Sequence, residues 1–269
     1  MSALPADQAR YIFTLTGGRT GTAWLAHFLG ASLDVQAVHE WLRIDDFGLR
    51  MPDIKIMRSF NERGNDALVQ SFWKGKLDEI APMPLYIETN HTLGKCGLVE
   101  NLAGSPLAAA TALIVLRRDL VTQCKSYIAR GDFLNITINW QWYLHTSYKN
   151  AIINPAPFLQ MGQVGLAIWY TYEMDVRQHY YVAKYADRLR LIEARLEQIT
   201  SEPGARALLD ALGFADRPVR IPPPSNTGGR KLDAQTAAHV EQFMGRIDYN
   251  PEALLRAYAS DGRSLDGLV

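Results

Sequence analysis

Apolar residues recur along the chain in two rhythms. Short runs, YIFTL (11–15), VQAV (35–38), PLYIE (84–88), ALIVLR (112–117) and LRLIE (189–193), read as strands. Longer helical patterns lie between them, and this alternation predicts parallel strands joined by helical crossovers. The nearly unbroken Ile, Val and Leu of 112–117 predict a central strand covered on both faces. In 21–30 (GTAWLAHFLG) Trp24, Leu25, Phe28 and Leu29 share one helical face, with Gly30 as the stop. Asn250, Pro251 and Glu252 supply an N-cap, a first-turn proline and a first-turn acid for a helix at about 251–259. Pro222, Pro223 and Pro224 followed by SNTGG mark a loop. No repeat and no shift in composition divides the chain. The expectation is one α/β domain over 1–269, three-layered, with a central, mainly parallel sheet flanked by helices.

Composition narrows the function classes. A chain of 269 residues buries about three quarters of its unfolded surface, so neither disulfides nor a structural metal is needed to hold a core. Cys96 and Cys124, the only cysteines, are too few for a disulfide framework or for a zinc site of their own. Lysines and arginines number 28, as do aspartates and glutamates, which counts against a general nucleic-acid binder or a polybasic membrane module. No run approaches the ~20 apolar residues of a membrane span. MSALPADQAR lacks a basic segment followed by an apolar one, and the expectation is a cytoplasmic protein.

The richest chemistry follows the first strand. Thr16-Gly17-Gly18-Arg19-Thr20-Gly21-Thr22-Ala23 leads from a strand into an amphipathic helix, the strand–loop–helix of a P-loop-type fold. Glycines let the backbone wrap around an anion, and the helix N-terminus offers free N–H groups and partial positive charge. The loop lacks the nucleotide-kinase pattern, which would need Gly at Thr16, Lys at Thr22 and Ser or Thr at Ala23. Arg19 supplies a permanently charged fork of donors instead.

TGGRTGTAWL resembles the GRSGTTWL-type loop that binds the 5′-phosphosulfate in sulfotransferases using 3′-phosphoadenosine 5′-phosphosulfate (PAPS). The likeness continues in order. LIVLRRDLVTQCKSY is similar to the second signature of that family, an Arg at a strand end and a Ser eight residues on that bind the 3′-phosphate; here these are Arg118 and Ser126. Arg117 is the rival for the arginine role, and Leu120 stands where the family usually has Pro. RLEQITSEPGARALLDALGF resembles a later structural segment, with Arg195, Glu197, Pro203, Leu212 and Gly213 in register. Gly229-Arg230-Lys231 looks like the basic loop that closes over the nucleotide, with Arg230 as a cofactor contact. The resemblance implies PAPS as donor, 3′,5′-bisphosphoadenosine (PAP) as product, and metal-independent transfer.

Sulfuryl transfer also needs a base for the attacking hydroxyl or amine. His39 and Glu40 end the expected second strand, at the sheet edge where open α/β folds place ligands. The spacing of 21 between Arg19 and Glu40 looks like that of the family branch with a glutamate base. Glu40 is therefore the candidate base and His39 its main rival. YIETNHT is similar to the family's EKTP or EKSP segment with Glu88 in register, but Thr89 replaces its Lys and His91 its Pro. Asn90, His91 or Lys95 are candidates to replace that Lys. Aromatics crowd 139–185, among them Trp140, Trp142, Tyr143, Tyr148, Trp169, Tyr170, Tyr172, Tyr180 and Tyr181, either as helical core or as acceptor contacts. The implied acceptor is a small molecule, lipid or glycan. The competing readings are a P-loop phosphotransferase with a degenerate loop and a non-catalytic PAP-binding protein.

Overall fold

Four parallel strands in the order β2-β1-β3-β4 form the middle of the molecule. In the computed structural model, which describes residues 8–40, 51–134, 142–224 and 231–267, they are β1 (Tyr11–Leu15), β2 (Tyr86–Glu88), β3 (Thr111–Arg117) and β4 (Arg190–Arg195). Tyr11 is in register with Tyr86 on one side and Thr111 on the other. The described helices are α1 (Thr22–Leu33), α2 (Ile54–Arg63), α3 (Ala67–Ile80), α4 (Leu98–Ala103), α5 (Leu120–Arg130), α6 (Ala156–Leu159), α7 (Gly162–Tyr185), α8 (Leu196–Ile199), α9 (Glu202–Ala211), α10 (Ala234–Met244) and α11 (Pro251–Ser260). None is long and apolar enough to cross a membrane.

Strand periodicity divides the core into two. Ile12, Ala112, Ile114 and Leu116 point to one face, where α1 and α9 cover them with Trp24, Leu25, Phe28, Leu208 and Leu209. Tyr11, Phe13, Leu15, Leu113 and Val115 point to the other, against α2, α3, α4, α5 and α7. The result is the expected three-layer α/β arrangement, and its sheet is parallel throughout.

One expected strand is missing. Residues 35–38 contribute a single parallel bridge, Val38 to Glu88. The reason is that α1 runs past Gly30 to Leu33 and ends on Asp34 in the left-handed region (φ 57°), with the Val35 N–H bonded back to the Gly30 carbonyl. Only Val38 is left beside β2, its N–H on the Ile87 carbonyl and its own carbonyl receiving the Thr89 N–H. The strand expected at 189–193 is displaced to 190–195.

The ends of the two central strands are tied together. Gln178 of α7 donates to the Leu15 carbonyl at 2.8 Å and the Leu116 carbonyl at 3.0 Å. Both carbonyls lie near the C-terminal ends of their strands, and the candidate site begins there.

Candidate functional site

The loop after β1 takes its shape from backbone that most residues avoid. Gly18 (φ 94°) and Gly21 (φ 87°) adopt positive φ, as does Arg19 (φ 56°). A Cβ on Gly18 would sit 3.2 Å from His91 Cγ, and one on Gly21 2.5 Å from Leu196 Cδ1. Side chains at either position would thus strain the turn and push neighbours out of the site. Thr16 and Thr20 close the base of the loop through their hydroxyls, 2.5 Å apart.

The loop carbonyls are held toward the core. Tyr127 OH lies 2.9 Å from the Gly17 carbonyl and 2.8 Å from that of Gly18, Gln123 donates to Gly18 O at 2.8 Å, and Tyr170 OH donates to Gly17 O at 2.8 Å. Burial raises both phenol pKa values, keeping these hydroxyls protonated donors. Because a trans peptide sets N–H opposite C=O, fixing the Gly18 carbonyl inward turns the Arg19 N–H outward. No side chain caps the N-terminus of α1 and no acid stands in its first turn. The N–H groups and partial positive charge of the helix end are left for an anion.

Arg118 and Ser126 join this loop. Arg19 Nε donates to Ser126 Oγ at 2.9 Å, and Arg118 Nη1 donates to the Arg19 carbonyl at 3.0 Å. Arg118 also lines the cleft. Burial lowers its pKa, with Glu197 acting in the opposite direction. Asp119 caps α5 through Thr122 N–H (2.8 Å), and Glu197 accepts the Asp119 N–H at 3.1 Å. Arg117 is removed from contention. It points into the core, 2.8 Å from Asp175 and 3.4 Å from Glu193.

A carboxylate and two imidazoles face the loop. Glu40 lies 3.6 Å from His91 Nε2 through Oε1 and 4.0 Å from His39 Nε2 through Oε2. Its backbone is left-handed (φ 41°), a strained choice for glutamate that aims the chain into the cleft. His91 stacks on Tyr143, ring centroids 5.5 Å apart. Beneath it, fully buried Lys95 reaches His91 Nδ1 at 2.9 Å, Tyr170 OH at 3.0 Å and the Trp142 carbonyl. Burial pushes the Lys95 ammonium down to about 7, while Glu40 and Asp132 pull the other way and Arg177 adds to the fall. Burial also holds His91 well below the usual imidazole value, and Lys95 lowers it further.

The remaining candidates divide between site and scaffold. Gly18, Arg19, Gly21, Thr22, Ala23, His39, Glu40, His91, Arg118 and Ser126 line one cleft of about 1820 Å³, as does Lys231. Gly17 and Thr20 are buried scaffold of the loop, and Arg230 lies outside the described residues. Glu88 pairs with Lys76 at 2.8 Å in the interior. Asn90 is buried, its Oδ1 accepting from Thr92 N–H, and does not line the cleft. Lys95 is buried beneath His91 and does not itself line the cleft. Trp142 and Tyr143 reach the cleft, whereas Trp169, Tyr170, Tyr172 and Tyr181 are core. The residues that hold the loop carbonyls, Gln123, Tyr127 and Tyr170, carry no motif of their own. Two had a readable signal: Gln123 and Tyr127, four residues apart, share the α5 face of Ser126. No family model matches the chain, and no curated protein matches it.

Proposed function

We propose that the chain is a sulfotransferase moving a sulfuryl group from PAPS to a hydroxyl or amine of a small-molecule, lipid or glycan acceptor. The carrying observation is the pair of hydrogen bonds that join Arg19, Arg118 and Ser126, drawn from two distant segments, beside the loop and in the same cleft as Glu40. The donor set fits a ligand with two phosphate ends. Loop N–H groups and Arg19 hold the 5′-phosphosulfate, and the remaining guanidinium donors of Arg118 with the Ser126 hydroxyl hold the 3′-phosphate. Asp119, next to Arg118, is turned onto its own helix. When bound, PAPS supplies the sulfuryl group and a stable leaving group. Glu40 takes the proton of the acceptor O–H or N–H as the new bond to sulfur forms, and the bond from sulfur to the 5′-phosphate oxygen breaks with its electrons going to PAP. Arg19 and the loop N–H groups carry the charge that develops on that oxygen.

The test is transfer of labelled sulfur from PAPS across a panel of hydroxyl and amine acceptors, with wild type and Glu40→Gln. Transfer by wild type that falls ~100-fold or more in Glu40→Gln, with PAP affinity nearly unchanged, is the expected outcome. Magnesium-dependent phosphoryl transfer from ATP, without use of PAPS, would overturn it.

A further inference from the structure

Each histidine beside Glu40 has its second ring nitrogen committed, and the two commitments are opposite. His39 Nδ1 lies 2.6 Å from the Thr89 carbonyl. A carbonyl only accepts, so the hydrogen sits on Nδ1. Thr89 Oγ1, 3.3 Å from the same nitrogen, gives its own proton to the Thr22 carbonyl at 2.9 Å and offers His39 only lone pairs. A neutral His39 therefore turns an unprotonated Nε2 toward Glu40.

His91 is held the other way by Lys95. The ammonium has three protons and three acceptors in reach: His91 Nδ1, Tyr170 OH and the Trp142 carbonyl. Tyr170 has already given its proton to Gly17 O, so it can only accept from the lysine. The rings of Tyr143 and Tyr170, 5.1 and 5.4 Å from Nζ, favour the charged form of Lys95. His91 Nδ1 is then an acceptor, and its hydrogen sits on Nε2, the nitrogen facing Glu40.

We propose that His39 and His91 are held in opposite neutral tautomers, Nδ1–H and Nε2–H respectively, so that Glu40 lies between an acceptor nitrogen and a donor nitrogen. The depressed basicity of His91 agrees with this, because an imidazole buried against an ammonium stays neutral. The catalytic consequence rests on the sulfotransferase reading. His91 does not take the proton of the acceptor; it donates its N–H to an oxygen at the reaction centre. The proton goes to Glu40, with His39 Nε2 next in line to receive it. Lys95 is a positioning residue that acts through His91.

The tautomers are measurable without any turnover. The full chain labelled with ¹⁵N-histidine is examined by long-range ¹H–¹⁵N correlation on the acid side of the Lys95 titration at about 7, where the ammonium is charged, with His39→Gln and His91→Gln assigning the signals. The expected spectrum gives His39 a pyrrole-like Nδ1 and His91 a pyrrole-like Nε2. Two identical tautomers, or a hydrogen on Nδ1 of His91, overturn the proposal, and this holds even if Lys95→Met fails to fold. If Lys95→Met does fold, the His91 signals are expected to move to a mixture of tautomers while those of His39 stay in place. A PAP titration of the same sample judges the sulfotransferase reading separately: lack of saturation removes that reading and leaves the tautomers as measured. With turnover established, His91→Gln, which keeps an N–H donor, is expected to retain more kcat than His91→Leu. Equal loss in the two would overturn the donor role.

Discussion

The two faces of the sheet are built from different materials. Under α1 and α9 the filling is apolar, with Ile12, Ile114, Leu116, Leu25, Phe28 and Leu209 packed together. The opposite face buries charge as well. There Arg177 bonds to Glu173 at 2.7 Å and Asn61 at 2.8 Å, Gln178 ties two strand ends, and Lys95 sits under His91. An apolar layer holds elements together without fixing direction, whereas a buried polar group is stable only where its partners are correctly placed. The polar face is also the one that aims the loop carbonyls and His91. One face supplies cohesion and the other supplies aim.

Substitutions can break this contrast. Arg177→Met takes from buried Glu173 its ion-pair partner, and about 3–5 kcal/mol of unfolding free energy should be lost in urea titration. Leu209→Ala on the apolar face should cost about 2–5 kcal/mol, while PAP affinity in the surviving folded protein stays near wild type. An equal loss of affinity in Leu209→Ala would erase the distinction between the faces. Gln178→Leu removes both donors from the Leu15 and Leu116 carbonyls and should cost about 1–3 kcal/mol, together with weaker PAP binding as the base of the loop loosens.

A further effect is read against pH. Lys95 titrates at about 7 when folded against an ordinary lysine value of 10.5, so between these values the unfolded chain binds more protons than the folded one. Stability therefore rises with pH in that window, by up to about 1.4 kcal/mol per unit from this group. Below about 7 lysine is charged in both states and this contribution is flat. In Lys95→Met the rise should be missing from denaturation midpoints compared across the window, and an unchanged rise would assign it to another group.

Local signals were legible wherever chemistry is written into adjacent residues. The strand–loop–helix that opens at Tyr11 and the spacing from Arg118 to Ser126 could both be read from the chain. Residues 35–38 could not, because VQAV has strand composition but follows a helix that closes only at Asp34. Arg117 and Arg118 could not be separated by sequence either. Alternation along β3 sends one inward to Asp175 and leaves the other at the strand end, facing the loop. Lys95 was even less legible. His91 is only four residues away, but Trp142 and Tyr170 come from distant segments, and only the folded chain brings all three to one ammonium.

The most direct measurement is a thermal-shift titration with PAP on wild type and Arg118→Ala, using ADP with and without magnesium as the comparison. A ligand bound only by the folded state at 100 times its dissociation constant adds about 2.7 kcal/mol of stability. Stabilisation by PAP without magnesium, largely lost in Arg118→Ala, is the predicted result. Stabilisation by ADP that requires magnesium, with no response to PAP, would contradict the assignment of Arg19, Arg118 and Ser126 to a bisphosphorylated nucleotide.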